Sequence, residues 1–219
     1  LEFANEHIGG VVIHSRAGLK IQYMGERWFA AYQYAVSLAE SLGIEVWIYD
    51  EDGWPSGFAG GIVPAFGRDY QLKYVGYNFG DAYLQNATDN CHIIGVYKPL
   101  PNGRYEHKQN EDAIEKEDIV FWYTANPEYV DLLNPRVTDA FIAYTHERYA
   151  EKLGKWFGSV IKGFFTDEPQ MNCSGYAWSV ELPQEFENNT GLSLLDNLWM
   201  IAVDVKESHK FRYELWKTI

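Results

Sequence analysis

Cysteine is nearly missing from this 219-residue chain, which has Cys91 and Cys173 and no others. That count excludes a disulfide framework and, with no CxxC and no Cys/His cluster, a structural zinc site. One bridge between the two is chemically feasible, and two unpaired buried thiols are the simpler expectation. Basic residues are also scarce: 18 Lys+Arg stand against 31 Asp+Glu, for a formal net charge of -13. Such a surface repels phosphate backbones and anionic lipid, so neither nucleic acid nor membrane is an expected partner. No apolar run approaches the ~20 residues of a membrane helix. The chain opens on Leu1-Glu2-Phe3 with no leader pattern, which reads as a processed product or a piece of something longer.

What is plentiful is aromatic. The sequence has 8 Trp, 16 Tyr and 12 Phe, 16% of all residues, within an ordinary globular balance of 47% hydrophobic and 22% charged. Some of these rings belong to a core. A surplus of Trp and Tyr also suits a protein that stacks flat rings on sugar faces, and composition alone does not separate the two.

Periodicity organises the chain. Ile8 to His14 is a short β-branched run bounded by Gly9-Gly10 and by Ser15-Arg16-Ala17-Gly18, a buried strand. Trp28, Tyr32, Ala35, Val36, Ala39 and Leu42 recur at steps of three and four, predicting a helix over 26–42 that Gly43 ends. Ile44 to Tyr49 is strand again, completing a βαβ unit with parallel pairing. Ile119 to Tyr123 reads as a third strand, and Asn134-Pro135 as an N-cap with proline at the first helical position. That helix runs to Leu153, Val160 to Thr166 is a fourth strand, and further helices are predicted over 182–189 and from about Leu194 onward. Between them, 69–118 breaks the pattern. Alternation over 70–79 and 91–97, with turn chemistry at Pro99 to Gly103, predicts a small antiparallel β insertion, and Glu106 to Asp118 reads as a solvated segment.

Four strand–helix units are half of a closed eight-unit barrel, which takes ~250 residues. The expected fold class is therefore α/β, the N-terminal half of a TIM barrel within a single domain over 1–219, carrying the insertion at 69–118. A smaller doubly wound sheet is the alternative.

In parallel α/β folds, ligand groups gather after the strands. After the first come His14, Ser15 and Arg16; after the second, Asp50, Glu51, Asp52, Gly53 and Trp54; after the third, Tyr123, Asn126 and Asp131; after the fourth, Asp167, Glu168, Gln170 and Asn172. A carboxylate at a rigid strand end, beside aromatics and a second acid, is placed to have its pKa raised, as a glycosidic general acid requires. Three consecutive acids followed by Trp54 in a Gly/Pro-rich loop suit sugar hydroxyls and a pyranose face. The same acids could hold Ca²⁺, although the EF-hand spacing is missing. Gly57, Gly60 and Gly61 make no phosphate loop, since no Lys-Ser/Thr follows. His146 and Glu147 lie inside a helix and read as structural or solvated.

The block Gly9 to Arg16, the block Trp47 to Gly61, Tyr129 to Pro135, and Gly163 to Pro169 occur in an order that resembles large bacterial multidomain glycoside hydrolases related to the α-L-rhamnosidases of glycoside hydrolase family 106. The resemblance implies a TIM-barrel catalytic domain acting on polysaccharides, with Glu168 as a catalytic carboxylate. In such enzymes the partner carboxylate comes from a later strand. Here it is either missing or one of Asp50, Glu51 and Asp52, of which Glu51 is taken as the second catalytic residue. His14, Arg16, Asp50, Asp52, Trp54 and Asp167 are the expected substrate-binding residues. The function expected is hydrolysis of O-glycosidic bonds with no cofactor, calcium aside. The alternatives are a non-catalytic carbohydrate-binding or fragment domain and, less favoured, a metal-dependent hydrolase. The expected partners are a carbohydrate substrate and either a second copy of the chain or a missing half-barrel.

Overall fold

The computed structural model describes residues 2–109, 113–171 and 175–219. In chain order the first elements are α1 (Glu2–Asn5), β1 (Gly10–Ser15), α2 (Glu26–Leu42), β2 (Glu45–Asp52) and β3 (Gln71–Phe79). Next come α3 (Gly80–Asn86), β4 (His92–Pro99), β5 (Tyr105–His107), β6 (Ile119–Val130), α4 (Pro135–Tyr144) and α5 (His146–Leu153). The last are β7 (Ile161–Phe165), β8 (Ala177–Trp178), α6 (Leu182–Thr190), α7 (Leu194–Asn197) and α8 (Ser208–Thr218). They form two compact units, one of residues 1–70 with 128–170, the other of 71–127 with 171–219.

The first unit is built on a three-stranded parallel sheet of order β1-β2-β7. α2 occupies the predicted span, burying Trp28, Phe29, Tyr32, Val36 and Ala39, and Gly43 closes it in the left-handed conformation at φ 65°. Val46, Ile48 and Ile161 meet this stripe from the sheet, and Tyr149, Leu153 and Trp156 complete the core. Asn134 caps α4 by accepting from the Arg136 N–H at 3.1 Å. The alternate strand positions point the other way, and there Val12, Trp47 and Phe165 remain 52%, 40% and 47% exposed.

The second unit is a five-stranded sheet of order β5-β4-β6-β3-β8, with β4 antiparallel to both β5 and β6 and β3 antiparallel to β8. Ile119 and Phe121 pack with Leu182, Phe186, Leu198, Trp199, Phe211 and Leu215 of the C-terminal helical segments. Val120 and Trp122, on the opposite face, pack with Tyr83 and Val96.

This arrangement overturns the half TIM barrel. Three of the four expected strands are parallel neighbours, but Ile119 to Tyr123 belongs to the antiparallel sheet. The order β1-β2-β7 also has no reversal, so it contains no doubly wound switch point. The cause is burial: the start of β6, Ile119 to Trp122, is covered on both faces, which makes it a continuous apolar run. That is the pattern of a parallel-sheet strand, yet it carries no information about direction.

Three smaller expectations change with it. The β segment, expected as an insertion carried within a single domain, groups with 171–219 as one of two compact units. Asp118, expected in a solvated stretch, is fully buried and takes the Lys108 ammonium at 2.9 Å. The single last helix is broken into α7, a 3₁₀ turn over Leu198–Ile201, and α8. At that break the Ser208 hydroxyl accepts from the Val205 N–H at 3.0 Å and donates to the Val203 carbonyl at 2.7 Å. Cys91 is a half-buried free thiol, and Cys173 lies outside the described residues, as does Asn172. No helix among the described residues is long and apolar enough to cross a membrane.

Candidate functional site

Because β1, β2 and β7 run in one direction, their carboxyl ends share an edge, with Ser15 opposite Asp52 and Tyr49 opposite Phe165. His14, Arg16, Asp50, Glu51, Asp52, Trp54, Asp167 and Glu168 follow from that edge. Tyr123 and Asn126 belong to the other unit. Asp131 is buried, and its carboxylate accepts from the Leu133 N–H at 3.1 Å.

The three consecutive acids have three different fates. Glu51 is fully buried, and its carboxylate accepts five backbone N–H groups. Oε1 takes Asp52 at 2.8 Å and Gly60 at 2.6 Å; Oε2 takes Gly57 at 3.1 Å, Phe58 at 3.0 Å and Ala59 at 2.8 Å. Burial pushes this carboxyl up from the usual carboxylate range, and the amides pull it back. Every neighbour within hydrogen-bond distance is a donor, so a proton on either oxygen would find no acceptor. The Gly-rich loop is thus an anion cradle after all, wrapped around the chain's own glutamate. With its lone pairs occupied and no exposed surface, Glu51 is an anchor for the loop and has nothing left to offer a substrate.

Asp50 is equally buried. Its Oδ1 accepts the Ser56 hydroxyl at 2.6 Å, while Oδ2 accepts the Thr166 hydroxyl at 2.5 Å and faces His146 Nε2 at 3.3 Å. Asp52 is half-buried and accepts the Ser15 hydroxyl at 2.8 Å. The three consecutive carboxylates therefore have three separate sets of partners. Among the described residues no three His, Cys, Asp or Glu side chains converge as metal ligands.

The groups left facing solvent are few. Trp54 is 49% exposed. It lines a cavity of about 290 Å³ with Arg16, Leu19, Asp52 and Phe58. No carboxylate pairs with the Arg16 guanidinium among the described residues. His14 stacks on Tyr49 with ring centroids 3.4 Å apart, and its Nε2 lies 3.3 Å from the Gly53 carbonyl. Burial is the main cause that lowers the His14 pKa, with Arg16 adding to it against the Gly53 carbonyl, Asp167 and Asp52. The Tyr49 hydroxyl donates to Asp167 at 2.8 Å; burial first, then this carboxylate, push the phenol up.

Glu168 is exposed, makes no hydrogen bond or ion pair among the described residues, and sits at φ 45°. A non-glycine residue in this region costs ~1–2 kcal/mol. Bonds on both sides hold it there. Asp167 N–H donates to the Ser56 hydroxyl at 2.9 Å, and Gln170 N–H to the Tyr129 hydroxyl at 3.3 Å. Sequence reasoning missed Ser56 and Thr166, whose hydroxyls tie the two loops to Asp50, and read His146, which faces Asp50, as structural or solvated. A hydroxyl six residues beyond a buried acid gives no periodic signal.

No family model matches the chain, and no curated protein or solved structure matches it significantly.

Proposed function

We propose that this protein holds a carbohydrate at the carboxyl edge of the parallel sheet and hydrolyses an O-glycosidic bond there, with Glu168 as general acid/base. One observation carries the reading: an exposed carboxylate, with no hydrogen bond or ion pair among the described residues, is held in a strained backbone conformation by hydrogen bonds on either side. Strain of this kind collects at functional sites. Trp54 supplies a flat ring for a pyranose face, and Arg16, His14 and Asp52 supply hydroxyl partners. With Glu51 sequestered, the second carboxylate of a reacting pair comes from Asp167 or Asp52, both half-buried at the same edge. The resemblance of the blocks around Trp54 and Glu168 to rhamnosidase-related hydrolases supports the same chemistry.

The loss of Glu51 from the reacting set also favours a second reading, carbohydrate binding without turnover. Aryl glycosides separate the two. Turnover that falls by a factor of about 10² or more in Glu168→Gln, with sugar affinity retained, supports hydrolysis. Sugar affinity that depends on Trp54, with no turnover, supports binding alone. If neither binding nor turnover is found over a panel of glycosides, both readings fail.

A further inference from the structure

We propose that the open edge of β1 and the outward face of α2 form a self-association surface, on which two copies of the chain pair their β1 strands antiparallel about Val12. The surface lies within the first unit, and it does not depend on the reading of Glu168.

The parallel sheet has two edges, and they are unlike. β7 carries Lys162 within its five residues, a charge of the kind that blocks edge pairing. β1 reads Gly-Val-Val-Ile-His-Ser, with no proline, lysine or carboxylate, and its register with β2 is regular from Gly10 to Ile13. The Gly9 carbonyl accepts the Glu45 N–H at 2.9 Å, which fixes the alternation. Val11 and Ile13 turn their backbone groups to β2, so those of Gly10 and Val12 turn outward, followed by His14. One antiparallel register makes these groups self-complementary. In it the two Val12 residues lie opposite each other, and Gly10 of each copy lies opposite His14 of the other.

Beside this edge, β1 and α2 enclose an apolar groove of about 470 Å³ lined by Phe3, Val12, Ile13, Tyr34, Leu38 and Leu42 among others. Tyr34, the midpoint of α2, is 73% exposed, and Phe3 is 56% exposed. No residue of α2 between Arg27 and Glu40 is charged. On a chain of net charge -13, such a face lets two copies meet without setting carboxylate against carboxylate.

The charges at the ends of this face are complementary. It begins at Arg27, seven positions before Tyr34, and ends at Ser41, seven positions after it. Val12 and Tyr34 line the same groove, so a two-fold axis at Val12 passes close to the middle of α2 and sets the two helices antiparallel. Arg27 of each copy then lies towards the carbonyl end of the other helix. That end has no basic residue in its last turn, and Arg27 is exposed with no ion pair among the described residues. A cation is favourable there.

The same geometry selects the occupant. An extended peptide would pair the edge but bring nothing to the groove. A second copy brings a strand to the edge and the Tyr34–Leu38 face to the groove. At about 200 Å² per ring, the exposed parts of Phe3 and Tyr34 alone supply roughly a third of the ~800 Å² that each partner buries in a stable complex. The remainder falls to Val12, Leu38 and the backbone of β1. A surface of that size predicts a dimer that dissociates on dilution.

The test combines light scattering with amide hydrogen exchange on the full chain, from about 1 μM to about 1 mM. We expect the mass to rise from one chain to two, and the Gly10 and Val12 amides to gain about tenfold protection or more at the concentrated end. The double variant Tyr34→Lys, Leu38→Lys, at exposed positions, should keep the circular dichroism of the monomer and raise the dissociation constant about tenfold or more. In Val12→Cys the facing Cα atoms would lie ~5.5 Å apart, within reach of a disulfide. Oxidised glutathione should therefore join two chains at position 12, as read by peptide mapping. A chain still monomeric at the concentrated end, or β1 amides whose protection ignores concentration, overturns the proposal. So does a dimer that ignores the double lysine variant or forms no bridge at position 12. If the lysine variant does not fold, wild-type exchange and the position-12 bridge decide alone.

Discussion

Replacing Glu51 by glutamine turns one of two oxygens at the centre of five hydrogen bonds into an NH₂ group. The glutamine oxygen would take the Oε2 position, keeping Gly57, Phe58 and Ala59, and its NH₂ would take the Oε1 position. There it would meet the N–H groups of Asp52 and Gly60, donor against donor, in a site with no solvent exposure. Each lost bond to a charged acceptor is worth ~1.5–3 kcal/mol, so two amount to roughly 3–6 kcal/mol before relaxation. Movement of the loop to admit water should bring the observed loss to about 3 kcal/mol, a large share of the ~5–15 kcal/mol that stabilises a domain. Urea titration of both forms measures the loss, and hydrogen exchange at Gly57 to Gly60 should show it concentrated in the loop. A reacting Glu51 would behave differently, with turnover lost and stability near that of the wild type. A Glu51→Gln variant within about 0.5 kcal/mol of the wild type, with its loop amides still protected, would refute the anchor.

Glu168→Gly should abolish turnover yet raise stability by up to about 1 kcal/mol, since glycine relieves the positive φ at some entropic cost; thermal melts beside an activity assay check both signs. His14, whose pKa is lowered in the folded state, contributes stability that is present above its unfolded value of 6.5 and lost as pH falls through the folded value. Urea midpoints of His14→Gln should accordingly lose part of the acid-side decline seen in the wild type between pH 7 and 5. Gly163→Ala would bring a Cβ to 2.7 Å from the Trp47 ring, and overpacking of this kind costs ~1–3 kcal/mol; Trp47→Leu in the same chain should recover part of it, read by chemical denaturation.

The local signals in the sequence were strong where one residue type does one job. The Trp28-to-Leu42 stripe, Gly43 after α2 and the Asn134-Pro135 start of α4 all correspond to observed elements. Strand direction was not legible. Ile119 to Trp122 is apolar because both its faces are covered, and burial of that kind is the same in either sheet type. The site was half legible. Strand ends pointed to His14, Arg16, Asp52, Trp54, Asp167 and Glu168, which do share an edge. Asp50 and Glu51 were placed beside them by adjacency alone, and two of the Asp50 partners, Thr166 and His146, lie far along the chain. His146 stands 96 positions from Asp50 in the chain, a distance no spacing rule spans. One clue was available at Glu51: an acid directly before a loop rich in glycine, whose free N–H groups want an anion.

The way Glu51 is held also separates what the loop is from what it displays. All five of its donors are main-chain amides, so the anchor does not read the side chains of residues 52–60. The glycines stand apart. Gly53, Gly57 and Gly60 have φ of 112°, 131° and 63°, and at the last two a Cβ would lie 3.3 Å from the Tyr129 hydroxyl and 3.0 Å from the Tyr23 ring. At Trp54 and Phe58 the chain is free to exchange one side chain for another without unfastening the loop. A library randomised at those two positions, with Glu51 and all three glycines retained, should therefore yield folded proteins that differ in the molecules they take up.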